Sequence, residues 1–220
     1  MNPAPAKPLP TVFVIGDSIS VHYGPFLRDA LGGVFRYERK GGEMAALNNL
    51  DIPEGANGGD SRMVRACLEE RLSDGTFQPD VLLFNAGLHD IKRSTHGKSI
   101  QIGLEDYRAN LLAIVDGLLR RGIEPVWVRT TPFRDAIHNS AKCPGFLRFQ
   151  DDLEAYNRAA DEIMGGHRVK SIDLHGFTNS LSDDPAGLFA DHVHFHPEIM
   201  ARQGAFIAGW LACWLELSGR

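Results

Sequence analysis

The stretch that decides the fold is VFVIGDSIS, residues 12–20, an apolar and largely β-branched run that stops at Gly-Asp-Ser. A short continuous apolar run bounded by turn residues is typical of a central strand in a parallel sheet. In open α/β sheets the ligand crevice lies beyond the carboxyl ends of such strands. The pattern therefore puts Ser18 where such proteins bind ligands, although Gly-Asp-Ser alone is also an ordinary turn or helix N-cap sequence.

The rest of the chain alternates between strand and helix patterns, without a composition break that would mark a linker. The predicted strands cover residues 11–15, 34–38, 81–84, 126–129 and 169–172. The predicted helices cover residues 61–72, 104–121 and 147–164, and a last helix begins at Pro197. We expect an α/β fold in three layers, an α/β/α sandwich with a flavodoxin-like five-stranded parallel sheet. Residues 1–10 are predicted to be a flexible lead-in, and residues 11–220 a single domain.

Composition argues against several classes of partner. The net charge is -5 at pH 7 and no basic stripe is present, which disfavours binding to nucleic acid. No segment approaches the roughly 18 apolar residues of a membrane span, and the N-terminus lacks the apolar core of a secretory signal. Three cysteines, far apart, favour reduced thiols and a cytoplasmic location; they are Cys67, Cys143 and Cys213. No nucleotide-binding motif is present, so we expect no cofactor.

Residues 190–198, ADHVHFHPE, bring an acid and three histidines together just before the C-terminal helix. A serine hydroxyl is a poor nucleophile at neutral pH and needs an adjacent imidazole, which a carboxylate holds in the right tautomer. Asp191 and His194 can supply both groups, because a spacing of three residues in a tight turn lets the acid fold back toward the ring. Ser18, Asp191 and His194 are therefore the predicted catalytic residues.

Four short blocks together resemble the GDSL, or SGNH, hydrolase family. They are Gly16-Asp17-Ser18, Gly59-Asp60-Ser61, Gly87-Leu88-His89-Asp90 and Asp191-His192-Val193-His194. The resemblance covers nearly the whole chain and implies a serine hydrolase that acts on esters. It implies that Ser18 is the nucleophile, and that Asp191 and His194 are its acid and base. It also implies an oxyanion hole formed by Ser18, Gly59 and the residue at position 89.

The third block departs from the family pattern Gly-x-Asn-Asp, because His89 stands where the family has asparagine. An imidazole N–H can still donate a hydrogen bond to a developing oxyanion. The second block has an alternative, since Gly41-Gly42 directly follows a predicted strand. We favour Gly59, because Gly59-Asp60-Ser61 is more similar to the family's Gly-Asp-Thr and precedes an amphipathic helix. Residues 40–58 are then an insertion at the mouth of the site.

Polar residues beside these blocks are predicted to support them. Asp17 is expected to cap or brace the turn around Ser18, and Asp90 to hold the loop after the third strand. Asn85 is expected either to help the oxyanion hole or to bond to a neighbouring loop from its strand end. The long connection after the fourth strand is predicted to form a wall of the pocket; its polar candidates are Arg134, His138, Asn139 and Lys142. Outside this connection, histidines such as His22 have no partner that the sequence reveals.

We expect a cofactor-independent serine ester hydrolase that cleaves short-chain acyl esters, with a carbohydrate O-acetyl ester as the specific expectation. The nearest alternative is a thioesterase or a broad esterase for small esters. A metal-dependent hydrolase is a further alternative, because His192, His194 and His196 alternate and could bind a divalent ion. A non-catalytic module that binds a small molecule in the same crevice is the last.

Overall fold

The computed structural model describes residues 8–95, 99–140 and 145–219, so most of the predicted lead-in lies outside the described residues. The strands are β1 (Thr11–Ile15), β2 (Arg36–Arg39), β3 (Val81–Phe84), β4 (Arg93–Ser94), β5 (Glu124–Val128), β6 (Phe146–Leu147) and β7 (Lys170–Ile172). The helices are α1 (Ser18–Ala30), α2 (Glu43–Asn48), α3 (Ser61–Ser73), α4 (Leu104–Arg120), α5 (Asp135–His138), α6 (Gln150–Gly166), α7 (Leu174–Asn179) and α8 (Pro197–Ser218). A short 3-10 helix spans Pro185–Leu188.

The described residues contain a central sheet of five parallel strands in the order β2-β1-β3-β5-β7. Ile15 at the end of β1 lies beside Phe84 at the end of β3. The turn that carries Ser18 and the segment that follows β3 therefore leave the sheet at the same edge. The strand order reverses between β1 and β3, which is where open α/β sheets form their ligand crevice.

Helices cover both faces of the sheet, which confirms the predicted three-layer α/β/α architecture. On one face α1 packs against α8, and on the other α4 packs against both α3 and α6. All residues of β1 and β3 are buried, as expected for central strands covered on both faces. Gly204 lets α8 approach α1 closely, because a Cβ there would lie 2.8 Å from the backbone nitrogen of Leu27. This contact joins the two ends of the chain behind the site.

Several predicted boundaries are wrong by two or three residues: β5 begins at Glu124 and not at Val126, α6 ends at Gly166 and not at Met164, and the starts of β2 and α6 also differ. The second strand begins at Arg36 and not at Val34, because the N–H groups of Val34 and Phe35 both bond to the carbonyl of Leu31 and continue the end of α1. Helix α6 begins at Gln150 and not at Leu147. Its predicted first residue, Leu147, instead lies in β6, which pairs antiparallel with β4 in a separate two-stranded sheet. In both cases a tertiary or capping contact overrides the local helix or strand pattern.

The structure also describes the helices that were considered as membrane spans, two of the three cysteines, and the insertion. No helix among the described residues is both long enough and apolar enough to cross a membrane. Cys67 and Cys213 are free thiols, and Cys143 lies outside the described residues. The insertion at residues 40–58 is an irregular segment that contains one short helix, α2.

Candidate active site

Ser18 is the first residue of α1, immediately after the end of β1. Asp17 is the N-cap of this helix, and its Oδ1 accepts a hydrogen bond of 3.0 Å from the N–H of Ile19. Asp17 thus has the capping role predicted for it. Its other oxygen, Oδ2, has no partner among the described residues. Burial raises the pKa of Asp17, although the N–H of Ile19 and the charge of Arg148 act in the opposite direction.

Asp191 and His194 lie in one tight turn before α8. The Oδ2 of Asp191 is 2.7 Å from Nδ1 of His194, and its Oδ1 accepts hydrogen bonds from the N–H groups of Val193 and His194. Partial burial raises the pKa of Asp191, but the three hydrogen bonds lower it by more. The bond from the His194 ring is the largest of these contributions, and the pKa is held well below its usual value. The carboxylate is therefore charged at neutral pH and accepts a hydrogen bond from the N–H at Nδ1.

The turn brings His194 to Ser18, 176 residues away along the chain, with Nε2 2.9 Å from the serine Oγ. Ser18, His194 and Asp191 thus form a continuous line of hydrogen bonds. With Nδ1 protonated and bonded to Asp191, the neutral ring of His194 has a lone pair at Nε2, directed at the serine hydroxyl. This arrangement can remove the proton of Ser18 as its oxygen attacks a carbon centre.

His22 is a neighbour of this line that the sequence interpretation missed. Its ring packs edge to face against the ring of His194, with centroids 5.1 Å apart. Burial, together with a smaller contribution from the nearby His194, lowers the pKa of His22 to about 4, so this ring is neutral at pH 7. The available signal was its spacing: His22 is four residues after Ser18 in α1, and residues four apart share a helix face.

Gly59 lies buried at the end of the insertion, just before α3, with a φ of 74°. Its N–H donates a hydrogen bond of 3.0 Å to Oδ1 of Asn57. The neighbouring Gly58 donates its N–H to the carbonyl of Gly16, which ties this segment to the end of β1. The alternative glycine, Gly42, is exposed and its carbonyl accepts bonds within the insertion. Gly59 is thus the better placed of the two, although its N–H already has a partner.

His89 is buried, and its Nδ1 has no hydrogen-bond partner among the described residues. Burial lowers its pKa well below the usual value, and the positive charges of Lys92 and Arg148 lower it further. The ring is therefore neutral and has one N–H to donate. Nδ1 is bonded to Cγ, as is the amide nitrogen of an asparagine side chain. His89 can consequently present a donor from the same position in its side chain as the family's asparagine.

Asp90 ties the second and third blocks together. Both of its carboxyl oxygens accept hydrogen bonds from the N–H of Ser61, at 2.9 and 3.1 Å, at the start of α3. Asp90 is completely buried, and this raises its pKa to about 7 despite the bonds from Ser61. The carboxyl group thus holds the loop after β3 as predicted, and it also sets the position of Gly59 through α3.

Asn85 follows the end of β3, and its amide group is directed at the neighbouring strand. Its Nδ2 donates to the carbonyl of Val128 and to Oγ1 of Thr130, at 2.8 and 3.0 Å. Of the two interpretations of Asn85, the structure agrees with a strand-end residue that bonds to a neighbouring loop.

The three alternating histidines do not converge on one point. His194 bonds to Ser18, His192 lies against His138 with their Nδ1 atoms 3.0 Å apart, and His196 is the N-cap residue of α8. The described residues include no group of three or more His, Cys, Asp or Glu side chains arranged to hold a metal ion.

The insertion reaches the loop after β3 through Lys92, whose Nζ donates a hydrogen bond of 2.9 Å to the carbonyl of Asp51. Beside this contact is an open cavity of about 500 Å³. Its lining includes Asp51, Lys92, Ser94, Ser99, Gln101 and Phe146. From the connection after β5, Asn139 bonds through its side chain to the backbone of Arg148, and Lys142 lies outside the described residues. The insertion, the loop after β3 and the connection after β5 thus all carry polar groups.

The sequence model of the GDSL-like Lipase/Acylhydrolase family matches residues 14–202. Among curated proteins, no sequence match is found.

Several solved structures share the fold. A lipase/acylhydrolase from Enterococcus faecalis has a TM-score of 0.67 and 15% identity over 93% of this chain and 96% of its own. The acetyl xylan esterase AlAXEase has a TM-score of 0.62 and 17% identity over 93% of this chain and 98% of its own. The psychrotrophic esterase EstA from a Pseudoalteromonas species has a TM-score of 0.62 and 14% identity, covering 94% and 98%.

Proposed function

Because this chain belongs to the GDSL-like Lipase/Acylhydrolase family and is a carboxylic ester hydrolase, we propose that it cleaves short-chain acyl esters through Ser18, His194 and Asp191. The observation that carries this proposal is the unbroken line of hydrogen bonds from Ser18 Oγ through His194 to Asp191, with lengths of 2.9 and 2.7 Å. Because the members of this family are hydrolases, the alternative of a non-catalytic binding module is rejected.

In the proposed reaction, Ser18 Oγ attacks the ester carbonyl carbon while His194 Nε2 takes the serine proton. The carbonyl oxygen becomes an oxyanion. Its collapse breaks the bond to the alcohol oxygen, which leaves with the proton from Nε2, and the acyl group stays on Ser18. Water then attacks this acyl-enzyme with His194 again as base, and the products are a carboxylic acid and an alcohol. No step of this sequence requires a cofactor.

The proposed oxyanion hole uses the N–H of Ser18, the ring of His89 and the N–H of Gly59. As the first residue of α1, Ser18 has an N–H without a partner inside the helix. The neutral ring of His89 supplies a second donor when its proton is on Nδ1. The N–H of Gly59 contributes only if the oxyanion shares or displaces its present acceptor, Oδ1 of Asn57.

For the substrate we propose a short acyl ester of a polar alcohol, with a carbohydrate O-acetyl ester as the specific candidate. The cavity beside Lys92 supports this choice, since its lining offers carboxylate, hydroxyl and amide groups together with the aromatic ring of Phe146. A long acyl chain would instead need an extended apolar channel. The likeness in fold to an acetyl xylan esterase supports the same candidate.

We further propose that residues 11–220 form a single catalytic domain. The matched residues 14–202 fall within it, and α1 and α8 pack together from its two ends. The free thiols of Cys67 and Cys213 support a reducing, cytoplasmic location as the expected one.

The test is hydrolysis of a short-chain chromogenic ester by wild type and Ser18→Ala, each with and without a chelator. We expect the substitution to lower turnover by about 10⁶-fold, and the chelator to have no effect. An organophosphate should add once to the wild type, on Ser18, as read by intact mass. A panel of acetylated sugars and acyl thioesters then separates the carbohydrate esterase from the thioesterase.

The matched control is Ser73→Ala, a serine at the exposed end of α3, which should keep full activity. Retention of activity in Ser18→Ala, together with its loss on chelation, would overturn the serine mechanism in favour of a metal site. Faster cleavage of thioesters than of any acetylated sugar would overturn the proposed substrate but not the mechanism.

A further inference from the structure

The ring of His22 lies directly against the ring of the proposed general base, His194. His22 belongs to α1 and follows Ser18 by one helical turn, so the two residues share a face of the helix. The rings of His22 and His194 meet edge to face, with centroids 5.1 Å apart and an angle of 66° between their planes. The proposed reaction leaves His22 without a part, although it touches the group that transfers the proton.

The hydrogen bonds of His194 restrain its ring in some directions more than in others. Nδ1 is bonded to Asp191 and Nε2 to Ser18, at 2.7 and 2.9 Å. The N–H and the lone pair of an imidazole both lie in the plane of the ring. These two bonds therefore fix the ring within its plane and resist tilting out of that plane less strongly. The ring of His22 occupies space into which His194 would tilt, so its packing adds a restraint that the hydrogen bonds do not supply.

The charge of His22 matters as well as its shape. Its Nδ1 is buried and has no hydrogen-bond partner among the described residues. A protonated imidazole has an N–H at both nitrogens, so protonation of His22 would leave a buried N–H without an acceptor. Burial, with a smaller contribution from His194, lowers the pKa of His22 to about 4 against the opposing charge of Asp191. His22 therefore stays neutral while His194 gains and loses a proton.

We propose that His22 is a positioning residue for the general base: its neutral ring holds His194 in line between Asp191 and Ser18 and leaves His194 free to carry the positive charge that forms during the reaction. This role rests on the proposed function. Asp191 is bonded to the ring of His194, so its carboxylate stabilises a positive charge there. A second positive charge at the distance of His22 would oppose that charge. An uncharged ring at position 22 thus packs closely without hindering proton transfer.

Other titratable groups also face His194 from the segments around it. Asp191 and His192 lie in its own turn, Asp17 precedes α1, and His89 follows β3. Burial lowers the pKa of both His89 and His192, so neither ring adds a positive charge at pH 7. A cation introduced at position 22 would therefore be a new kind of charge among these groups, and its effect on the base can be measured.

Steady-state kinetics on a short-chain ester tests the packing. His22→Ala removes the ring and should lower kcat by about 10- to 100-fold, with KM changed by less than about twofold. His22→Phe keeps an aromatic ring and should recover most of this loss. A kcat for His22→Ala within threefold of the wild type would overturn the proposal. A loss in His22→Phe as large as in His22→Ala would also overturn it, because the ring nitrogens and not the packing would then matter.

A pair of variants tests the charge. His22→Lys adds a positive charge beside His194, and His22→Met has an unbranched side chain of similar length without a charge. In His22→Lys the acid limb of kcat/KM should lie about one pH unit lower than in His22→Met, because the added charge opposes protonation of His194. Its plateau should be about tenfold lower, since the same charge opposes the imidazolium of the transition state. An acid limb at the same pH in both variants would overturn the proposal.

Ala30→Lys is the matched control for the added charge. Ala30 is the exposed last residue of α1, roughly 12 Å along the helix axis from His22. This variant should match the wild type in rate and in pH profile. A shift of the acid limb as large as that of His22→Lys would overturn the proposal, because a charge on α1 would then act without contact with His194. Urea unfolding checks that each variant is folded.

NMR of the full-length protein with ¹⁵N-labelled histidine separates this inference from the proposed function. It follows protonation of the His194 ring without a substrate, and His194→Gln assigns that ring by its missing signals. A lower midpoint in His22→Lys than in His22→Met, in a protein that hydrolyses no ester, would contradict the proposed function and leave the coupling of the two rings standing. Ester hydrolysis through Ser18, with the same midpoint in both variants, would overturn this inference alone.

Discussion

The two sides of the site differ in how completely their polar groups are already paired. On the nucleophile side, Ser18, His194 and Asp191 are joined by hydrogen bonds of 2.9 and 2.7 Å. On the oxyanion side, the N–H of Gly59 is bonded to Asn57, whereas Nδ1 of His89 has no partner among the described residues. The proposed proton-transfer groups are thus already joined by hydrogen bonds in the absence of substrate. Of the proposed oxyanion donors, the Gly59 N–H is already bonded, whereas Nδ1 of His89 is not.

The difference follows from how each side is built. Asp191 accepts two hydrogen bonds from His194 and one from Val193, within a turn in which Asp191 and His194 are three residues apart, so little chain entropy opposes the arrangement. The oxyanion side is held over longer distances in sequence, through the bond between Asp90 and Ser61. A substrate oxygen would supply the common acceptor that this side lacks.

Among the substitutions that test this comparison, Asp191→Asn on the nucleophile side has the largest expected effect. An amide N–H facing Nδ1 of His194 would favour the tautomer with its proton on Nε2, which cannot accept from Ser18. We expect kcat to fall by about 10⁴-fold. Because the pKa of Asp191 is held below its usual value, its charge persists as the pH falls, and the acid limb of the wild-type profile should follow protonation of an imidazole.

The loss of activity and the acid limb are measured by pH–rate profiles of kcat and kcat/KM for the wild type and Asp191→Asn. Asp183→Asn, at an exposed aspartate, is the control and should be unchanged. If Asp191→Asn keeps activity within tenfold of the wild type, the proposed contrast between the two sides is lost.

On the oxyanion side, His89→Ala should lower kcat by about 100- to 1,000-fold with little change in KM, since the donor acts mainly in the transition state. His89→Asn should restore most of the activity, because the amide nitrogen is also bonded to Cγ. Steady-state kinetics on the same short-chain ester measures both. His167→Ala, at the exposed end of α6, is the control. A kcat for His89→Ala within threefold of the wild type would remove His89 from the oxyanion hole.

The smallest expected effect is on stability. It concerns the hydrogen bonds between Asp90 and the N–H of Ser61, which join the second and third sequence blocks. Asp90→Ala leaves the buried N–H of Ser61 without an acceptor, which should lower the free energy of unfolding by about 1–3 kcal/mol. Asp90→Asn keeps an acceptor and removes the buried charge. Burial raises the pKa of Asp90 to about 7 in the folded protein, so the folded state binds the proton more tightly than the unfolded state. The contribution of Asp90 to stability should therefore fall as the pH rises from about 4 through 7.

Urea unfolding at pH 5 and pH 8 measures the free energy of unfolding of the wild type, Asp90→Ala and Asp90→Asn. Relative to wild type, Asp90→Asn should be more stable at pH 8 than at pH 5. Asp116→Asn, at an exposed position of α4, should show no such change. A difference between wild type and Asp90→Asn that is independent of pH would contradict the raised pKa.

Boundary errors show where local pattern stops being sufficient. Residues 104–121 were predicted as a helix, and α4 spans Leu104–Arg120, because its apolar spacing and the following Gly122 are both local signals. Leu147 fits the apolar pattern of α6 equally well, yet it lies in β6 and pairs with Arg93 of β4. The partner strand is more than 50 residues away, and no pattern within a helix-sized window reports it.

By itself the sequence determined the order of the five central strands and of the helices α3, α4, α6 and α8, the turn after β1 that carries Ser18, and the spacing of Asp191 and His194, because periodicity, turn residues and a short loop are local properties. Only the tertiary structure decided that His194 meets Ser18, that Gly59 and not Gly42 is buried beside β1, that the N–H of Gly59 is already bonded, and that His138 pairs with His192. Each of these depends on segments far apart in sequence that the packing of helices on the sheet brings together, and burial then decides which of their polar groups are left without partners.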